Sequence, residues 1–264
     1  MSKPLKIIVL LVVVGLYSSI SLANSSQADG ELQFSAEKLM RFAKRVEKVA
    51  ADNGARVIII PRLGRPRSKL PRGFEYTHTG IGVYSLITTE SGETVPGYRI
   101  HNLYQSNEQS DRSTTVDDFP FDFYAGVYEL KTAVLIPKPE LQQKLLKLIQ
   151  SGDHLQLHNA NYSAISNPYN TKYQNCNEYV LDIINAAVYG TTDIAKLKQT
   201  SETYFDAQPV VVGPLKMMFA SIFSPSIKVS DQSEDIITTS YTSIKDYLYK
   251  YDLVDKEIII NAQP

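Results

Sequence analysis

Apolar residues recur along this chain at two periods, and the alternation between them marks out helices and strands. Leu39, Phe42, Ala43, Val46, Val49 and Ala50 repeat every three or four positions, which places them on one stripe of a helix. Ser35 offers an N-cap hydroxyl at its start, and Asn53-Gly54 a stop at its end. Residues 56–61 (RVIIIP) are short, β-branched and closed by proline, the pattern of a buried strand. After a basic, proline-rich stretch at 62–72, read as a solvated loop that could hold an anion, residues 76–87 and 97–104 predict two strands. Turn-formers at 90–93 would join them as a hairpin. The polar run 107–118 reads as loop, and 124–136 as a third long strand ended by Pro137.

Pro139 then sits near the start of a helix reaching about residue 150, with Leu141, Leu145, Leu148 and Ile149 inward. Residues 151–172 read as loop. A second strongly patterned helix begins near Cys176, turns Tyr179, Val180, Ile183, Ile184 and Ala187 inward, and closes at Gly190. Further on, the pattern predicts a short helix over 192–199, an apolar core or lid segment over 210–223, a helix over 243–249 and a last strand over 257–260. Neither a repeat nor a linker divides this series, so the expected fold class is α+β, as one domain over 35–264 with a C-terminal extension after about 190.

The N-terminus changes where this domain is expected to work. Lys3 and Lys6 precede an apolar run at 7–16, and Ser21-Leu22-Ala23 supplies small residues at the positions a signal peptidase inspects. The run is shorter than the roughly 20 residues a membrane span needs. The reading is a cleavable signal peptide over 1–23 with an uncleaved anchor as the alternative, a flexible polar leader over 24–34, and a periplasmic or secreted mature chain without a transmembrane segment. A formal net charge of −1 gives no reason to expect a nucleic-acid partner.

Export gives weight to the single cysteine, Cys176, which has no partner within the chain in a compartment where thiols usually pair. It lies at or within one turn of a predicted helix N-terminus. There, unpaired backbone N–H groups and the positive end of the helix dipole favour a thiolate, and the same groups can stabilise an oxyanion. A nucleophilic thiol also needs a base. His78 opens one predicted strand and His101 lies on the next, so His101 could orient His78 if both face the same side of the sheet. His154 and His158 fall in predicted loop and are set aside. Asp117 and Asp118 lie in the polar run and read as solvated.

The order of these elements is His-Thr-Gly-Ile on a strand, a polar residue on the next strand, then Asn-Cys opening a helix. It resembles circularly permuted papain-like proteins, the NlpC-related and lecithin retinol acyltransferase-like superfamily. Within it, residues 76–83, 101–104 and 173–180 resemble the bacterial domain-of-unknown-function family numbered 2145, over about residues 35–190; the Gln174-Asn175-Cys176-Asn177 core is its most specific part. The resemblance implies an antiparallel sheet packed against the cysteine-bearing helix, with Cys176 as nucleophile, His78 as base and His101 in the third polar position, where Asn102 could serve instead. It also implies Tyr162, Asn175 and Gln174 lining the substrate cleft.

The expected activity is therefore hydrolysis or acyl transfer at an amide or ester through a thioester, with a cell-wall peptide or a lipid acyl group as substrate. No cofactor or metal is expected. The alternative is a non-catalytic exported binding protein that keeps the fold and buries a structural thiol. There is no Gly-x-Ser-x-Gly elbow, phosphate loop or dinucleotide fingerprint to suggest other chemistry.

Overall fold

In a computed structural model of the chain, residues 33–88, 92–211 and 224–262 are described. Helix α1 (Ala36–Asp52) begins as its sequence predicts: the Ser35 side chain accepts from Lys38 N–H, and Leu39, Phe42, Ala43, Val46 and Ala50 are buried. Strands β1 (Val57–Arg62), β2 (His78–Thr88), β3 (Thr94–Gln105), β4 (Ser113–Asp118), β5 (Lys131–Pro137) and β8 (Val254–Asn261) form one antiparallel sheet in the order β4-β3-β2-β1-β5-β8. β6 (Gln208–Pro209) and β7 (Ile237–Thr238) pair separately. The chain is a mixed α+β protein.

Each face of the sheet carries helices over its own apolar cluster. On one face, α1 and α2 (Pro120–Ala125) pack on Ile58, Ile60, Tyr98, Ile100 and Val134. On the other, α3 (Pro139–Gln150), α4 (Cys176–Tyr189) and α6 (Tyr241–Lys250) cover Val57, Ile59, Ile81, Val83 and Leu103. α5 (Ile194–Tyr204) packs against α4. Such a two-faced sheet follows from the strands themselves: β1 is buried at all six positions, so neither of its faces can be left to water. The C-terminal strand pairs with β5 over seven register positions and so belongs to this same sheet.

Two segments and one side chain in 107–136 differ from the pattern reading. The polar run 107–118 contains β4, an edge strand whose inward residues are Ser113 and Asp118 and whose period-2 apolar signal is therefore missing. The expected long strand over 124–136 is divided: Pro120 at the first helical position starts α2, whose Phe123 and Tyr124 are buried, and the strand begins only at Lys131. Asp118 is buried rather than solvated. The apolar segment 212–223 and the signal-peptide residues lie outside the described residues.

Candidate active site

Cys176 occupies the first position of α4. Asn175 caps the helix by accepting from Glu178 N–H at 2.9 Å, and its Nδ2 donates to Thr238 Oγ1 at 2.9 Å. Where the thiol sits is decided by the sheet. The β2–β3 ladder ends at Ile81↔His101, although β2 continues back to His78 and β3 on to Gln105. Beyond that pair β2 bonds only to β1, and β3 only to β4. Peptide groups alternate sides along a strand, so that of Thr79, in phase with Ile81, is turned toward the seam, whereas the Thr77 N–H, one residue before β2, donates to Arg62 O of β1 at 2.9 Å. The first turn of α4 docks there: Cys176 Sγ donates to Thr77 O at 3.9 Å, and Thr79 Oγ1 donates to Asn177 Oδ1 at 2.6 Å.

Two influences compete on the sulfur. The backbone N–H groups of Thr79, Asn177 and Cys176 itself favour its ionised form, as does the Arg62 guanidinium. Burial opposes them and is the larger effect, because Cys176 is only 3 % exposed, and the thiol is pushed up to about 11. The expectation of a thiolate at the helix tip is thus corrected: in this state the residue is a thiol.

His78 is fully enclosed on the α2 side of the sheet, stacked on Tyr104 with ring centroids 4.9 Å apart and packed on Phe123. Its Nε2 meets Asn102 Oδ1 at 2.8 Å. Asn102 Nδ2 donates to Val116 O and Ile100 O, with Asp118 Oδ2 also in reach, so the amide oxygen is the atom left for the ring. An acceptor at Nε2 assigns the proton to that nitrogen and leaves Nδ1 as a bare lone pair. Nδ1 has no hydrogen-bond partner among the described residues, Cys176 Sγ included. Burial and the Arg62 charge hold the imidazole well below its ordinary pKa, so it is neutral at pH 7. The thiol meanwhile touches the carbonyl of the peptide joining Thr77 to His78.

His101 does not orient His78. It pairs across from Ile81, three residues past His78, and an odd offset puts the two side chains on opposite faces. Its Nδ1 lies 2.7 Å from Asp117 Oδ1, and its ring packs edge-on against His154 at 5.2 Å. Asn102, the neighbour, is the side chain that meets the His78 ring. The expected cleft residues are also occupied structurally. Gln174 receives Asn159 N–H and donates to Leu157 O and Asp182 Oδ2. Asn175 is the helix cap, and Tyr162 is buried in the α4-side core.

A sequence model of the family described as "Uncharacterized protein conserved in bacteria (DUF2145)" matches residues 49–248. The chain belongs to the DUF2145 family. No curated protein and no solved structure matches it. The matched span in this DUF2145 protein runs from the end of α1 to α6 and includes Cys176, His78 and Asn102.

Sequence reasoning passed over a second buried feature of this DUF2145 chain. Lys198 Nζ, on α5, contacts Glu178 Oε1 at 2.5 Å and Asp182 Oδ1 and Oδ2 at 2.9 and 2.8 Å, all on side chains at most 5 % exposed. Ser166 Oγ donates to the other Glu178 oxygen. Desolvation raises both carboxyl pKa values against the pull of Lys198. The i, i+4 spacing of Glu178 and Asp182 on the inward side of an apolar helix was the available signal.

Proposed function

We propose that this DUF2145 protein is an exported cysteine hydrolase or acyltransferase of papain-like, circularly permuted architecture, acting on an amide or ester through a thioester. The observation that carries the reading is His78: a buried imidazole fixed by Asn102 at Nε2, with an unprotonated Nδ1 that has no partner among the described residues, on the strand segment whose backbone cradles the Cys176 thiol. A buried polar atom without a partner is costly, and one that is kept fits a proton acceptor awaiting its donor.

In the proposed reaction the Cys176 proton passes to His78 Nδ1 as sulfur attacks the carbonyl carbon. The N–H groups of Cys176, Asn177 and Thr79 support the negative charge, first on sulfur and then on the carbonyl oxygen. His78 returns the proton to the departing amine or alcohol, leaving a thioester. Water or a second acceptor releases it. Asn102 keeps the ring in its tautomer throughout, the orienting part in a Cys-His-Asn set. The substrate must widen the seam, since the thiol is sealed in the resting state.

Acetylation by p-nitrophenyl acetate, followed by intact mass, tests this. Cys176 should take up one acetyl group, Cys176→Ala none, and His78→Ala should react on the order of a hundredfold more slowly. An equal rate in the His78 variant sinks the proposal. The second reading, a binding protein with a structural thiol, is favoured by the burial of Cys176 and its raised pKa, and predicts that equal rate.

A further inference from the structure

Two basic residues of 62–72, Arg62 and Arg65, are buried rather than solvated; Arg62 ends β1 and donates to Phe123 O, and Arg65 is the one without such a bond among the described residues. Arg67 is exposed and pairs with Glu129 at 3.0 Å, as a solvated run should. Arg65 is only 8 % exposed, and its Nε is enclosed without a hydrogen-bond partner. Among the described residues no hydrogen bond or ion pair engages its guanidinium. Burial draws its pKa down to about 10, with Tyr162 acting in the other direction. Holding the Nε of a largely buried guanidinium out of water without an acceptor is expensive, and natural interiors pair such groups.

Its position connects it to the thiol. The preceding residue, Gly64, donates its N–H to Thr77 Oγ1 at 2.8 Å, and the Thr77 carbonyl is the acceptor for Cys176 Sγ at 3.9 Å. Tyr162, which influences Arg65, is buried in the same apolar cluster as Cys176 and bridges to Gln174, two residues before it. The missing anion would therefore lie beside the site.

We propose that Arg65 anchors a carboxylate of the acyl donor, so that the site takes carboxylate-bearing amides or esters such as peptides with a free terminal carboxyl. This rests on the reading of Cys176 as nucleophile. The planar guanidinium fork matches two carboxylate oxygens, and its single charge balances one carboxylate but not a phosphate dianion.

Titration calorimetry on the Cys176→Ser protein, which binds without turnover, tests the anchor with three probes: N-acetyl-alanyl-alanine, its C-terminal amide and inorganic phosphate. The free acid should bind at least about tenfold more tightly than the amide or phosphate, and an added Arg65→Met change should abolish the preference. Arg65→Met alone should leave Tm unchanged or raise it, because it removes an uncompensated charge. Three outcomes overturn the proposal: no preference for the acid or no binding of it, tighter binding of phosphate, or a Tm loss above about 5 °C that makes the guanidinium a structural support. Acetylation of Cys176 is read separately. Absence of an acid preference in the Cys176→Ser protein, with wild-type acetylation intact, refutes the anchor alone, whereas an acid preference without acetylation of the wild type refutes the nucleophile.

Discussion

Burial keeps His78 neutral, and that has a consequence for pH. Its folded pKa lies well below the ordinary 6.5, so between those two values the unfolded chain binds a proton that the folded chain refuses. This contribution is complete above pH 6.5 and is lost as pH falls below it, at up to about 1.4 kcal/mol per unit. His154 and His158 are shifted the same way, so a comparison is needed to isolate His78. Urea unfolding at pH 7.5 and 5.5 should show a smaller acid-induced loss in His78→Gln than in wild type, by about 1 kcal/mol. Equal losses would mean that the ring is not held neutral. At the same scale, Asn102 and His101 separate cleanly: Asn102→Ala should slow acetylation about tenfold or more, and His101→Ala by less than about threefold. Both residues were visible as candidates in the sequence. Choosing between them required the register Ile81↔His101, because one position of slip exchanges the faces of a strand.

Elements position these groups, and two of them are open to test. α4 carries Cys176 at its tip and two carboxylates in its first and second turns, balanced by Lys198. Lys198→Met should cost about 3–5 kcal/mol in urea unfolding, because it leaves both carboxyl groups sealed without their cation. The companion change of all three to Met, Gln and Asn should recover part of that loss; if it does not, the triad is not the cause. In β2, Gly80 marks a close approach: a Cβ there would come 2.6 Å from Ile100 Cγ2 and 3.3 Å from Asn102 Cβ. Gly80→Ala should therefore displace Asn102 and slow acetylation about as much as Asn102→Ala does, while far-ultraviolet circular dichroism stays native. Helices α1, α3 and α4 were legible because their caps and apolar stripes are local signals. α2 was not: its buried pair Phe123 and Tyr124, followed by Gly126 and Val127, carries the same apolar density as the strand it precedes. β4 escaped notice for the opposite reason, since its inward positions are polar.

For the whole molecule, the α+β class followed from the segregation of strands and helices, whereas the strand order did not. That β8 joins β5, far from it in the chain, depends on non-local pairing that no local pattern encodes. The same applies to the two layers. The sequence shows β1 as continuously apolar, which requires cover on both faces, but which helices supply it is fixed only by connectivity. Among the described residues no helix is long and apolar enough to cross a membrane. Arg65, without a partner among the described residues, could not have been singled out from a basic run, because exposure is a property of the folded surface and its neighbours in the chain look alike.

The strands on either side of Cys176 have already parted before any ligand arrives. Prising them wider breaks no cross-strand backbone bond past Ile81 and His101, and what must yield there is side-chain packing such as the ring stack of His78 on Tyr104. An incoming acyl chain would thus work like a wedge in a split that stops at a fixed knot, and the part of the fold easiest to spread is the part that conceals the sulfur.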